Sequence, residues 1–279
     1  MPIEPRSFLH YLNPDGGMPY APGMPSFSEP TLMMVLAFCA FDDLRSAQPM
    51  VEWALKNRNA DGSIGLSPEF SHEGLWNTSL YAIALHHLGR RSDRDAAIDF
   101  LLKFRSVPIP AQAENTIDSR IVAWPWVQGT IGWVEPTAWA LLALRLAGMT
   151  GHPRAIDGHR LLADRCMENG GWNYGNKMVF GNELIPFWDS TSLALLALDP
   201  GDHDLTDKSL DLLERSLPEV RSLYSLALAS LCLSRFDREV DALRGRIGVM
   251  LSASAGDDFN LVHSALGLMS LAHKPVLTP

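Results

Sequence analysis

Four stretches of this chain repeat one pattern, in which an acidic or polar residue precedes a Thr and an apolar run follows. They read Glu29-Pro30-Thr31-Leu32-Met33-Met34-Val35-Leu36-Ala37, Trp76-Asn77-Thr78-Ser79-Leu80-Tyr81-Ala82-Ile83-Ala84, Glu135-Pro136-Thr137-Ala138-Trp139-Ala140-Leu141-Leu142-Ala143 and Asp189-Ser190-Thr191-Ser192-Leu193-Ala194-Leu195-Leu196-Ala197. Two weaker copies put Leu223 and Leu261 in the Thr place. Six residues beyond each anchor the side chain is small: Ala37, Ala84, Ala143, Ala197, Ala229 and Gly267. The anchors at 31, 78, 137, 191, 223 and 261 recur every 32 to 59 residues, a period that suits one helix pair per repeat.

Each anchor run is apolar nearly all round, the pattern of a helix enclosed by other helices. The intervening segments are one-sided: Val240, Leu243, Ile247, Met250 and Leu251 recur at helical spacing, as do Leu210, Leu213 and Leu217, with charges opposite. Outer helices therefore pair with inner ones near 4–12 with 30–43, 46–58 with 76–89, 93–105 with 136–148, 153–168 with 189–198, 206–217 with 219–234, and 237–253 with 259–272. The expected architecture is all-α, an (α/α)6 barrel of six outer and six inner helices. Closing the ring leaves no end face to cap, as an open α-solenoid, the structural alternative, would require.

A chain of 279 residues with 47% hydrophobic side chains supports one large core, so residues 1–279 are expected to form one toroid domain. A net charge of −9 disfavours nucleic acid and anionic lipid as partners. Cys39, Cys166 and Cys232 lie apart with no metal or redox spacing, and no apolar signal core or membrane-length run occurs. The expectation is a cytoplasmic protein. His86-His87, at an inner-helix end, reads as local packing.

Loop lengths separate the two rims. Inner-to-outer joints such as 90–92 are short, whereas the outer-to-inner stretches 106–134 and 169–188 are long and hold Trp124, Trp126, Trp133, Trp172 and Trp188. Trp76 and Trp139 begin inner helices on that rim. An aromatic mouth over an apolar lumen is expected, and it suits a hydrophobic ligand.

Asn169-Gly170-Gly171-Trp172, Asp61-Gly62-Ser63 and the run from Gly132 through Glu135-Pro136-Thr137 to Leu144 resemble the Gly-Trp turns and inner helices of squalene and oxidosqualene cyclases. The wider group is the terpenoid cyclase and protein prenyltransferase α/α-toroid superfamily, and this chain looks like a single barrel of it. The resemblance implies an Asp-x-Asp-Asp general acid just before a Thr-Ala helix start. The matching position holds Glu135, Asp189 and Glu29, but the flanking acids are absent. These three also make good helix starts, with Asp as cap, Pro in the first turn and negative charge favoured by the dipole.

Zinc ligation as in the prenyltransferases fails residue by residue, because Asn182, Leu184 and Leu261 stand in the ligand places. Asp42-Asp43-Leu44-Arg45-Ser46 and Asp257-Asp258-Phe259-Asn260-Leu261 both lack the closing acid of a diphosphate-ionising motif. No metal or cofactor is therefore expected. The resemblance implies a cyclase or isomerase acting on an isoprenoid or polyene-like substrate. Glu135 and Asp189 are its acid or base, and Trp76, Trp133, Trp139, Trp172, Tyr174, Phe187, Trp188 and His263 its lining. One alternative is a non-catalytic toroid that binds a lipid, prenyl group or peptide. Another is an (α/α)6 carbohydrate enzyme, which needs two carboxyls across a polar cleft.

Overall fold

The computed structural model describes residues 3–110, 117–179, 181–198, 203–253 and 259–278. The chain opens with a short 3-10 helix at Pro5–Tyr11 and continues through α1 (Ser28–Ala40), α2 (Leu44–Asn57), α3 (Asn77–His87), α4 (Arg91–Lys103), α5 (Val134–Leu146), α6 (Pro153–Arg165), α7 (Trp188–Ala197), α8 (His203–Ser216), α9 (Leu223–Arg235), α10 (Asp241–Ala253) and α11 (Leu261–Leu271). Odd-numbered helices are the inner set. Each packs on the next, and α11 packs on α1, so the ring closes. The 3-10 helix takes the first outer place, in which a full helix was expected. Pro5 starts it and the Asn13-Pro14-Asp15-Gly16 turn follows, which leaves seven residues and no room for a longer α-helix. A two-residue hairpin, β1 (Met178–Val179) with β2 (Asn182–Glu183), decorates the rim.

The repeat has a mechanical meaning. Thr31, Thr78, Thr137 and Thr191 are all buried, and each clasps the rim loop upstream of its own helix. Their Oγ1 atoms accept the backbone N–H of Met18 (2.8 Å), Ile64 (3.1 Å), Trp124 (3.3 Å) and Trp172 (3.0 Å). The Thr191 hydroxyl also donates to the Trp172 carbonyl at 3.1 Å, and the Thr31 hydroxyl to Phe27 O at 2.6 Å. A loop buried against a helix end has backbone groups that water cannot reach, and these hydroxyls satisfy them. The small residue six positions on admits the outer helix: a Cβ added at Gly267 would stand 3.1 Å from the Leu251 side chain of α10.

The glycines of the Gly-Trp turn are structural too. Gly171 has a φ of +83°, and a Cβ there would lie 2.7 Å from Pro186. The next residue, Trp172, is wholly buried, and its indole N–H donates to Leu162 O at 2.7 Å. Trp124 is fixed the same way to Leu101 O at 2.9 Å, under the Arg154 guanidinium 4.2 Å from its ring.

The expected apolar hollow is not present among the described residues. From Pro30 to Ala40 every α1 residue is buried, as are Ala138–Leu144 of α5, Leu193–Ala197 of α7 and Ser264–Ser270 of α11. A lumen wide enough for a polyene would leave accessible surface along those helices, so their interior is filled with side chains. No described helix is long and apolar enough to cross a membrane.

Replacing Thr137 with Val removes a clasp without changing shape. The expected loss is about 2 kcal/mol, or about 5 °C in Tm, measured by thermal denaturation. Thr130→Val, at an exposed hydroxyl that donates to Val127 O, should cost less than about 0.5 kcal/mol. Equal losses at the two positions would contradict the clasp.

Candidate active site

The N-terminal turns of the inner helices surround the mouth of the ring, and the position two residues before each anchor faces the same end. It holds Glu29, Glu135 and Asp189 in the first turns of α1, α5 and α7, and Trp76 immediately before α3. All four keep partial solvent access, unlike the helix bodies behind them. Tyr224 and His263, in the first turns of α9 and α11, complete the circle with their rings 5.3 Å apart.

Glu135 is the centre of this group. The Ser190 hydroxyl donates to its Oε1 at 2.9 Å, and the Ser190 backbone N–H donates to Asp189 Oδ1 at 3.0 Å. One serine at the start of α7 thus links the two acids expected from the sequence. Burial pushes the Glu135 carboxyl up to about 7. The Ser190 bond opposes this, and the negative charges of Asp189 and Glu29 add to it. Glu29 is likewise raised by burial and partly restored by Tyr20, whose O–H donates to Glu29 Oε2 at 2.6 Å. Tyr224 is held far above the ordinary phenol range by burial and by the nearby Glu135, Glu29 and Asp189. Burial lowers His263.

Aromatic rings rim the opening. Tyr174 is exposed and lies against Phe187, centroids 4.8 Å apart. Its carbonyl accepts the Val134 N–H at 3.0 Å, which pins the loop beside Glu135. Trp76 meets Trp126 edge-on at 4.9 Å. Trp133 and Trp188 are half-buried at the starts of α5 and α7. Two expected lining residues do not join this group. Trp172 faces the wall between helices, as described above, and Trp139, 2% exposed, is enclosed in the core. Both are packing residues.

Glu29 was visible in the repeat, as Glu29-Pro30-Thr31 beside Glu135-Pro136-Thr137, but only ring closure brings it to the same mouth. Tyr20 and Tyr224 carry no comparable signal, because a loop tyrosine and one in an apolar helix both read as core. Trp126 stood among the rim indoles without a role. His87 belongs elsewhere: its Nε2 is 2.7 Å from Val276 O, at the opposite rim. Asp257 and Asp258 lie outside the described residues. Among the described residues no three His, Cys, Asp or Glu side chains converge as metal donors. A cavity of about 710 Å³ opens on the far rim beside Gly245, Gly248 and Leu271, and Asp42, the one acid among its described lining residues, is paired with Lys274.

No family model matches this chain, and no curated protein matches it by sequence. Solved structures do match its fold. An α-amylase from Clostridium perfringens superposes with a TM-score of 0.66 at 12% identity, covering 96% of each chain. An endo-1,4-D-glucanase from Vibrio fischeri gives 0.65 at 13%, over 98% of this chain and 97% of that one. A glycosidase in complex with glucose gives 0.61 at 13%, over 99% and 95%. At such identity the likeness establishes the α/α toroid. It also overturns the terpenoid cyclase and prenyltransferase resemblance, whose Gly-Trp and Thr motifs prove to be toroid scaffolding. The hydrophobic-substrate reading, and with it cyclisation, isomerisation and lipid or prenyl binding, falls with these neighbours and with the buried bodies of the inner helices.

Glu135 makes a signed prediction for stability. Its folded value lies above the ordinary carboxylate range, so its contribution is fully present in acid and is lost as pH rises to about 7. Glu135→Gln, which cannot ionise, should therefore be more stable than wild type by about 2 kcal/mol at pH 8. At pH 4 it should show no advantage. Urea denaturation at the two pH values measures this, and a pH-independent difference would refute it.

Proposed function

We propose that this protein is a carbohydrate-active hydrolase that cleaves a glycosidic bond at the acidic mouth, with Glu135 as general acid and the Asp189 carboxylate activating water. The observation that carries this reading is Glu135 itself, a partly accessible carboxyl raised to about 7 and hydrogen-bonded by Ser190. A leaving alkoxide needs a proton, and a carboxylic acid that keeps its proton near neutral pH is suited to supply one. Water attacks the anomeric carbon as the bond to the leaving oxygen breaks, Glu135 gives its proton to that oxygen, and Asp189 takes one from the water.

The surrounding groups support a sugar. Exposed flat rings at Tyr174 and half-buried ones at Trp76, Trp133, Phe187 and Trp188 offer faces on which the C–H side of a pyranose can lie, while the acids accept its hydroxyls. The solved neighbours include proteins described as an amylase, a glucanase and a glycosidase, which supports the same substrate class.

Reducing-sugar release from a panel of α- and β-linked glucans tests the proposal. Wild type should cleave at least one of them, and Glu135→Gln and Asp189→Asn, verified as folded by circular dichroism, should lose about 10²- to 10⁴-fold in kcat/KM. Wild-type rates in both variants, or no cleavage of any glycan, would overturn it.

A further inference from the structure

The residue after each mouth acid is the third of its helix. α1 and α5 read Glu29-Pro30 and Glu135-Pro136, and α7 reads Asp189-Ser190 in the same register. Proline suits that place, because a first-turn N–H has no partner within the helix and the ring presets the backbone. α7 has a hydroxyl there instead. Two other buried serines in these helices turn that group back on their own backbone, Ser192 to Trp188 O and Ser209 to Leu205 O, both at 2.6 Å. Ser190, wholly buried, reaches across to α5 and donates to Glu135 Oε1 at 2.9 Å.

The two oxygens of Glu135 are therefore unlike. Oε1 is tethered, whereas Oε2 has no hydrogen-bond partner among the described residues and is not closed off from solvent. A neutral carboxyl carries its proton on one oxygen only. The Ser190 hydroxyl has no other acceptor among the described residues, so a Glu135 that donated to it would leave a buried O–H unsatisfied. The arrangement that satisfies both groups puts the proton on Oε2. The backbone N–H of the same serine donates to Asp189 Oδ1 at 3.0 Å, and Asp189 Oδ2 is open in the same way. The other titratable groups of the mouth are Glu29 on α1 with Tyr20 bonded to it, Tyr224 on α9, His263 on α11 and Tyr174 in the loop before α7. The Ser190 hydroxyl bonds to none of them.

We propose that Ser190 is a positioning residue that occupies one oxygen of each acid: its hydroxyl holds Glu135 Oε1 and its backbone N–H holds Asp189 Oδ1, so that the transferable proton is carried on Glu135 Oε2 and water is met by Asp189 Oδ2. The roles of the two free oxygens rest on the hydrolase reading above. The tether itself does not.

Infrared spectroscopy of the full-length protein tests it. At about pH 5.5 ordinary carboxyls are mostly ionised while Glu135 keeps its proton, and the difference from the matching Glu135→Gln protein isolates its C=O stretch. In Ser190→Ala that band should move to higher wavenumber, because a carbonyl oxygen that loses a hydrogen bond stiffens. The Glu135 midpoint should rise by about half a pH unit or more, since the lost bond favoured the ionised form. Ser190→Pro, which installs the residue that α1 and α5 carry, should do the same. Ser192→Ala, whose hydroxyl serves its own helix, should move neither. On a cleaved glycan, Ser190→Ala should lower kcat by about 10-fold or more with KM unchanged, while the alkaline limb shifts to higher pH with the midpoint. An unmoved band in both Ser190 variants, or an equal shift in Ser192→Ala, overturns the proposal. A chain that cleaves no glycan but shows the shifted band and midpoint sinks the hydrolase reading and leaves the tether standing.

Discussion

The structure depends on a hydroxyl at the head of each of four inner helices that holds down the loop leading into it. A ring of helices can close with its loops loose, but an ordered rim needs those loops fixed against the helix ends. Their buried backbone groups would be costly without partners, by about 1–3 kcal/mol each. Thr31, Thr78, Thr137 and Thr191 supply those partners. The loops so held carry Tyr20, Trp126, Trp133 and Tyr174, so the clasp that secures the fold also places the rim of the site.

The same arrangement explains why acids gather where they do. The residue two before the clasp sits in the first helical turn of α1, α5 and α7, where negative charge interacts favourably with the helix dipole and where a short or Pro-containing turn starts a helix well. None of the three acids caps its helix, Asp189 included: the N-cap places hold Phe27, Trp133 and Phe187 without a side-chain cap bond, and the dipole alone accounts for one first-turn acid. Three of them converging on a partly accessible mouth, with Glu135 pushed up to about 7 chiefly by burial, go beyond what the dipole requires. The repulsion among them is unfavourable for folding, and perturbed groups of this kind concentrate where chemistry is done.

The filled interior is the second constraint. Inner helices that are apolar on every face can enclose a cavity or pack it shut, and hydropathy reads the same in both cases. Side-chain volume across the ring decides between them. Here Met33, Met34, Phe38, Tyr81 and Trp139 lie within the core, each no more than 2% exposed, so the space between the inner helices is taken up by side chains.

The sequence by itself determined the six inner helices, five of the six outer ones and the acids at Glu29, Glu135 and Asp189, because periodicity and spacing are local properties that survive without coordinates; closure was decided by the packing of α11 on α1. It placed Trp172 and Trp139 in the mouth, since an indole near a helix start looks the same whether it points at the opening or into the wall. Only the tertiary structure decided that Trp172 turns inward to Leu162, that Ser190 joins Glu135 to Asp189, and that Tyr20 donates to Glu29 while its carbonyl accepts Leu261 N–H across the seam. Those outcomes rest on the direction a side chain takes from its loop, on long-range contacts such as Ser190 with Glu135, and on how much space the packed interior leaves, none of which a one-dimensional pattern records.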